Sequence, residues 1–337
     1  MRVFHNSKPV PLVTLEAIRQ AANRLRGAVR RTPVLDVSVI AGRPLVLKCE
    51  NQQRGGAFKL RGAMNMLLRL SAEERARGVI TYSSGNHGQA VALAASRLGI
   101  PAVVVMPTTA PAVKVEGVRR WGADVLFAGR LSEERRARAE VELEARGLVM
   151  VPPFDHPWIV EGQGTCGLEI LDQVPDAAVV VAPVGGGGLL AGVSAAVKLS
   201  TRGVSVVGVE PSGAAKMTAS IRAGHPVTLD QVDTIADGLM AVRPGDLTFA
   251  HVQAYVDRMI VVEDRAIARA AWWLFSDVKL VAEPSGAAAL AAVLWPQPDS
   301  PLADRTRKVV AIISGGNVAP ETLVELREQW GNGAMGQ

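Results

Sequence analysis

The chain has 337 residues, enough for about two domains at roughly 150 residues each and for a large buried core. Residues of the AVILMFWYC set make up 48% and charged residues 20%, which excludes intrinsic disorder; with six Trp, two Tyr and six Phe, the core must be mostly Ala, Val and Leu. A net charge of +5 is mild for this length, and the arginines are spread over helix-like stretches such as 69–77 and 130–146 without interleaved aromatics, so nothing marks a nucleic-acid surface. In chain order, the patterning predicts a helix near 14–27, a strand at 44–48, a helix at 59–70 and a strand at 79–82. A helix at 88–98, a strand at 101–106, a helix at 111–121 and a strand at 124–127 follow. Beyond them come helices at 132–146 and 160–173, a strand at 178–182, a helix at 189–199 and a strand at 204–209. Helices at 264–276 and 285–294, a strand at 308–313 and a helix at 320–328 complete the pattern.

Apolar strand runs separated by helices predict an α/β chain whose parallel sheets are covered on both faces. The stretch 79–127 is a compact βαβαβ unit that can form a small domain, with the later strands in a second sheet. Residues 177–197 carry no charge and are long enough to span a bilayer, but Pro183 and the run Gly185–Gly188 interrupt them. A buried strand, a glycine loop and an apolar helix start fit better, so no membrane association is expected. Cys49 and Cys166 lie far apart and form no CxxC pair, which argues against a disulfide framework or a cysteine zinc site. The first ten residues contain no apolar signal segment, and the expected compartment is the cytoplasm.

In sheets of this kind ligands sit at the carboxyl ends of strands, on the loops that lead into helices. Ser83-Ser84-Gly85-Asn86-His87-Gly88 follows the strand 79–82 and offers hydroxyls, an amide and an imidazole at a helix start, which suits a carboxylate or phosphate; helix capping alone is the plainer alternative. Gly185–Gly188 follows the strand 178–182, and its backbone N–H groups can cradle a phosphate. Leu189-Leu190 stands where a Walker loop would need Lys-Ser/Thr, so backbone dipoles rather than a cation would hold the anion; close helix–strand packing is the alternative. Ser314 follows the strand 308–313 and can reach a ligand edge, or sit in an ordinary turn. Lys59, preceded by Phe58 at a helix N-terminus, should have a lowered pKa that favours the free amine, unless it is simply a solvated surface lysine. A phosphate cradle, an imine-forming amine, a polar atom at a ring edge and a second anion site together describe pyridoxal 5′-phosphate with an amino acid.

The segments KCENQQRGGAFKLRGAMN, SSGNHGQAVALAA, EGQGTCGLEI, APVGGGGLLAGV, GVEPSGAAK, EPSGAAALAAV and ISGGNV occur in this order, and with them the chain resembles the fold-type II pyridoxal-phosphate enzymes, most closely their threonine/serine dehydratase and serine racemase branch. The resemblance spans about residues 14–325. It implies two domains, each with a twisted, mainly parallel sheet flanked by helices, and an active site in the cleft between them. Residues 1–74 and 151–337 would form the large cofactor-binding domain and 75–150 a small mobile one. Residue by residue, it implies Lys59 as the Schiff-base lysine, with Phe58 beside the ring. Asn86 would bond the ring's phenolic oxygen, Gly185, Gly186, Gly187 and Gly188 would cradle the phosphate, and Ser314 would meet the pyridine nitrogen. Glu283, which opens the EPSG segment, would be a further cofactor neighbour. Ser83, Ser84, Asn86 and His87 would bind the substrate carboxylate, and Ser84 falls where racemases place the acid/base opposite the lysine.

The activity so implied is β-elimination of water from a 3-hydroxy amino acid. Lys59 removes the Cα proton, the hydroxyl leaves, and the enamine hydrolyses to a 2-oxo acid and ammonia. Because Ser314 offers the ring nitrogen only a neutral hydrogen bond, elimination should win over transamination. Alternatives are racemization, which Ser84 permits, and elimination from another substrate such as 3-hydroxyaspartate. β-Replacement is disfavoured by the SSGNHG loop, and a catalytically silent ligand-binding homologue by the presence of Lys59. A homodimer acting on a small amino acid is expected. Two positions depart from the family pattern: Ala57 replaces the usual Ser before Phe-Lys, and Lys216 replaces an Asp. The racemase-like members bind a divalent cation through a Glu, a carbonyl and that Asp, matching Glu210 and Ala214 here. No metal site is therefore expected; Lys216 either pairs with Glu210 in the ion's place or is a surface lysine without a role.

Overall fold

The computed structural model describes residues 10–83, 85–110, 112–129 and 132–330. In chain order its strands are β1 (Val34–Asp36), β2 (Leu45–Lys48), β3 (Val79–Tyr82), β4 (Ala102–Met106), β5 (Asp124–Phe127), β6 (Val149–Met150), β7 (Val179–Pro183), β8 (Ser205–Pro211), β9 (Arg258–Val262) and β10 (Val309–Ile312). They form a six-stranded sheet in the order β1-β2-β10-β7-β8-β9 and a four-stranded sheet in the order β5-β4-β3-β6. Every pairing is parallel except β1 with β2. The four-stranded sheet draws only on residues 79–150, and the other sheet on strands before and after that stretch. Valine runs such as Val103–Val105 and Val179–Val181 form the strands covered on both faces.

The helices are α1 (Leu15–Leu25), α2 (Ser38–Ala41), α3 (Lys59–Leu68), α4 (Ala72–Arg77), α5 (Asn86–Leu98), α6 (Ala112–Arg119), α7 (Ser132–Arg146), α8 (Pro157–Gln173), α9 (Gly188–Ser200), α10 (Lys216–Ala223), α11 (Asp246–Tyr255), α12 (Asp264–Trp273), α13 (Pro284–Leu294) and α14 (Pro320–Trp330). Thr14 caps α1, whose buried face, Ile18, Ala21 and Leu25, packs mainly against α8. Ala-rich α13 is buried along its length against the six-stranded sheet, where a slim helix fits a valine-lined surface. None of the helices among the described residues is long and apolar enough to cross a membrane.

Three strands go beyond the sequence expectation. β1 and β6, at three and two residues, are too short to show a period, and β9 is a sheet-edge strand that opens on exposed Arg258. Helix α4 was also unforeseen, although Ser71 and Glu74 form a reciprocal capping box at its start. Helix α5 begins at Asn86, two residues earlier than the apolar pattern suggests, so Asn86 and His87 belong to its first turn.

Beneath α3 lies a buried ionic network. Arg61 donates to both oxygens of Glu50 at 2.7–2.8 Å and to both oxygens of Glu169 at 2.7–2.8 Å. Lys48 Nζ reaches Glu169 at 2.6 Å, Gln173 at 2.7 Å and the Thr32 carbonyl at 2.8 Å. Burial alone would raise the Glu50 carboxyl, but the Arg61 guanidinium outweighs it and holds the group below its ordinary value. The network fastens the carboxyl end of β2 and helix α8 to the first turn of α3. Gly162 of α8 makes the close approach feasible, since a Cβ there would lie 2.6 Å from the Arg61 carbonyl.

Candidate active site

The carboxyl ends of the central strands face a cavity of about 380 Å³. Phe58, Lys59, Ser83, Asn86, His87, Gly185–Gly188, Glu283 and Ser314 all line it. Ser84 lies outside the described residues. Residues that are up to 256 positions apart in sequence are thus brought to one space by the two sheets and their connecting helices.

Lys59 is the first residue of α3, and its Nζ donates to the Pro153 carbonyl at 2.7 Å and lies 5.3 Å from the Phe58 ring centroid. Burial pushes its pKa down to about 8, which leaves an appreciable amine fraction near neutrality. The segment before it is laced to the 314–317 loop: Phe58 N donates to the Ser314 carbonyl at 3.0 Å, and Ala57 bridges Gly315. Ser314 is 4% exposed, with its hydroxyl 3.5 Å from the Ser285 carbonyl.

The capping alternative for the 83–88 loop does not hold for its described residues. Gly85 is the N-cap of α5, without a side-chain capping bond, and Ser83 Oγ accepts from Gly85 N at 3.2 Å rather than from the helix. Among the described residues, no side chain caps the first N–H groups of α5. His87 Nε2 lies 3.0 Å from the Val151 carbonyl, which can only accept, so the ring proton sits on Nε2. Its buried Nδ1 has no hydrogen-bond partner among the described residues. Burial, followed by the Lys59 charge, pushes the imidazole down to about 3, so it is neutral throughout the physiological range.

The glycine loop meets the packing demand and leaves a helix start that can accept an anion. Gly187 has φ +98°, a left-handed backbone, and is the N-cap of α9 with no side-chain capping bond. The positive end of α9 opens at the cavity wall with donors available for an anion. Packing also demands small residues here. A Cβ at Gly186 would lie 2.3 Å from the Phe154 ring, and one at Gly187 would lie 2.9 Å from Thr248 and Met217. Thr248 Oγ1 further fixes the loop by donating to the Gly186 carbonyl at 2.7 Å.

Asn86, Asn317 and Glu283 form a connected set. Asn86 Nδ2 donates to Glu283 Oε1 at 2.5 Å, and Asn317 Nδ2 donates to Asn86 Oδ1 at 2.8 Å. Burial first, then the charge of Asp237, pushes the Glu283 carboxyl up to about 8.

Several lining residues were not anticipated from the sequence. Pro153 and Phe154 follow β6, a strand too short to flag the loop after it. Lys114 on α6 pairs with Asp237 of the short turn Asp237–Leu239. Arg135 of α7 also reaches the wall. Nothing local in sequence joins these groups; only the packing of the two sheets does.

Lys216 is a buried ion-pair lysine, which removes the alternative of a surface residue without a role. It is 0% exposed, and its Nζ donates to the carbonyls of Val184, Ala214 and Leu239 at 2.8, 2.9 and 3.0 Å, with Glu210 Oε1 at 3.2 Å. Glu210 accepts in addition from Met217 N, Thr218 N and Thr218 Oγ1, each at 2.8 Å. Val184 immediately precedes the glycine loop and Leu239 lines the cavity.

The donor set fits pyridoxal phosphate. A buried amine of lowered pKa, a glycine loop at a helix N-terminus without a side-chain cap, and a neutral hydroxyl at the end of β10 share one cavity. Comparison with known proteins agrees. A family model described as pyridoxal-phosphate dependent enzyme matches residues 25–315. The chain is 44% identical over 310 residues to an L-threonine ammonia-lyase of Thermotoga maritima, covering 91% of this chain and 76% of that one. It is 42% identical over 308 residues to a serine racemase of Oryza sativa subsp. indica, covering 90% and 91%. The solved structure of maize serine racemase superposes with a TM-score of 0.89 at 39% identity, covering 95% of this chain and 98% of the other.

Proposed function

Because the chain belongs to the pyridoxal-phosphate-dependent enzyme family, we propose that it is an ammonia-lyase that removes water from a 3-hydroxy amino acid of the threonine/serine type, releasing a 2-oxo acid and ammonia. The observation that carries this reading is the buried Lys59 amine, opening on the same cavity as the glycine loop. When bound, the cofactor supplies an electron sink for a carbanion at the substrate Cα.

In this reading Lys59 would hold the cofactor, and its amine, when free, would take the Cα proton of the substrate. Its lowered pKa suits that step, since a general base works best with a pKa near the operating pH. The glycine loop and the start of α9 would hold the phosphate through backbone N–H groups. Phe58 covers one side of Lys59, and Asn86 offers an N–H at the ring edge. Ser314 would offer the ring nitrogen a neutral hydrogen bond, leaving the ring less electron-withdrawing than a carboxylate partner would and so favouring loss of the β-hydroxyl. Ser83, Ser84, Asn86 and His87 receive the substrate carboxylate, and neutral His87 adds no charge of its own there. The small sheet with its helices, residues 75–150, closes over the substrate, and the enzyme works in the cytoplasm as a homodimer.

A second reading, racemization of the same substrates, is favoured by the likeness to plant serine racemases. A screen of L-threonine, L-serine and L-threo-3-hydroxyaspartate separates the two: 2-oxo acid release is expected from at least one. Formation of D-enantiomer without 2-oxo acid would replace the first reading by the second, and Ser84→Ala should then abolish racemization while sparing most elimination. If neither product forms with cofactor present, both readings fall.

A further inference from the structure

The orientation of the Asn86 amide is dictated by a backbone group outside the cavity. The Gly55 carbonyl can only accept, so the Asn317 atom 2.8 Å from it is the amide nitrogen. The same nitrogen lies 2.8 Å from Asn86, which must therefore present its oxygen there and its own nitrogen to Glu283, 2.5 Å away. One Asn86 N–H is committed to Glu283, and one remains for a ligand. Asn317 therefore donates through one nitrogen to both the Gly55 carbonyl and Asn86, and Asn86 donates in turn to Glu283, the ionisable member of the set.

Glu283 precedes α13 and is 6% exposed. Gly315 leaves it room, since a Cβ there would lie 2.2 Å from Glu283 Oε1. The charged groups around it are Asp237 on its turn and Lys114 on α6, with Lys59 on α3 and Arg135 on α7 lining the same cavity. Lys114 is paired with Asp237. Among the described residues no cation forms an ion pair with Glu283, and burying a carboxylate in this way is costly, which favours the neutral acid.

We propose that Glu283 is a positioning residue, held as a neutral acid, that sets through Asn86 the hydrogen bond offered to the cofactor's ring oxygen, and that its loss of a proton to solvent changes that bond. This rests on the reading that Asn86 meets the ring oxygen. A carboxylate binds the Asn86 N–H more strongly than a neutral acid does, because charge-assisted hydrogen bonds are roughly twice as strong as neutral ones. It also brings a negative charge to the edge of the chromophore. Both effects should move the visible absorption of the bound cofactor. The Glu283 carboxyl, raised to about 8 by burial and Asp237, places the change within an accessible range.

The test is a pH titration of the visible spectrum of the holoenzyme between about pH 6 and 10. The wild type should show a transition with a midpoint near 8. E283Q keeps an acceptor for Asn86 and cannot ionise; it should hold the wild-type acid-form spectrum throughout. Asp237 is half exposed and can be changed independently. Removing its charge in D237N while Lys114 remains should lower the midpoint by about half a pH unit or more. A wild-type spectrum flat over the range, a transition that persists in E283Q, or a D237N midpoint that does not fall would overturn the proposal. Failure to develop any visible band with added cofactor would instead sink the cofactor reading on which it rests.

Discussion

At Lys59, function and stability pull against each other. Burial of the ammonium lowers its pKa from the ordinary 10.5 to about 8, so in the cofactor-free protein a buried charge is carried below pH 8. The unfolded chain binds this proton up to about 10.5, and between the two values it holds more protons than the folded chain. Stability from this group therefore rises as pH increases from 8 to 10.5. Lys59→Met, which fills the space without titrating, should melt higher than the wild type at pH 7 in the absence of cofactor, and the gap should shrink by pH 10. Equal gaps at both pH values would show that the amine is not desolvated. Borohydride reduction of the holoenzyme should bleach its visible band and place the label on the peptide containing Lys59; a label elsewhere would reassign the cofactor lysine. Lys59 was legible in sequence because Phe58 and the helix start flank it. The lowering itself comes from burial by parts of the chain distant in sequence, which its own segment does not reveal.

Among the elements, strands buried on both faces were the most legible, because continuous valine runs leave no solvent-facing positions to blur them. The start of α5 was not, since Asn86 and His87 are poor markers of a helix interior and are held there by Glu283, Asn317 and Val151, all distant in sequence. The glycine loop was legible as a loop, but its partner Phe154 was not, so its second role in packing emerged only from the fold. The two roles can be separated by mutation. Gly187→Ala forces a side chain into φ +98° and against Thr248 and Met217. It should weaken cofactor binding at least about tenfold, or ~1.4 kcal/mol. Gly186→Ala meets chiefly the Phe154 ring. Cofactor affinity lost in G186A should return in part when Phe154→Ala is added, as measured by titration of visible absorbance. A folded G187A with wild-type affinity would remove the phosphate from this loop. No recovery in the G186A/F154A double variant would show that Gly186 is needed by the ligand and not by the ring.

On the scale of the whole molecule, Lys216 joins two parts of the cavity wall, the glycine loop and the 237–239 turn, to the 212–214 turn behind them. Its ammonium holds the carbonyls that precede the glycine loop, close the 212–214 turn and end the 237–239 turn, and it is neutralised by Glu210. Burial lowers the pKa of Lys216, while Glu210 opposes that fall. In the place where the family resemblance implies a divalent cation, we propose that this covalently tethered charge does the ion's work. A hard divalent ion takes six or more oxygen ligands, usually with carboxylates among them, and an ammonium at the centre of the oxygens leaves it no place. Lys216→Met should therefore strand a buried carboxylate and three carbonyls, at about 3–5 kcal/mol, enough to lower the melting temperature by roughly 5–15 °C. Chelator should change neither the activity nor the melting temperature of the wild type. Lys216→Asp supplies the missing carboxylate; that variant should be destabilised with chelator and recover with Mg²⁺ or Ca²⁺, while the wild type stays indifferent. If the wild type loses activity to chelator and regains it with Mg²⁺, the ion binds elsewhere on this cavity wall and the tethered charge is not its substitute.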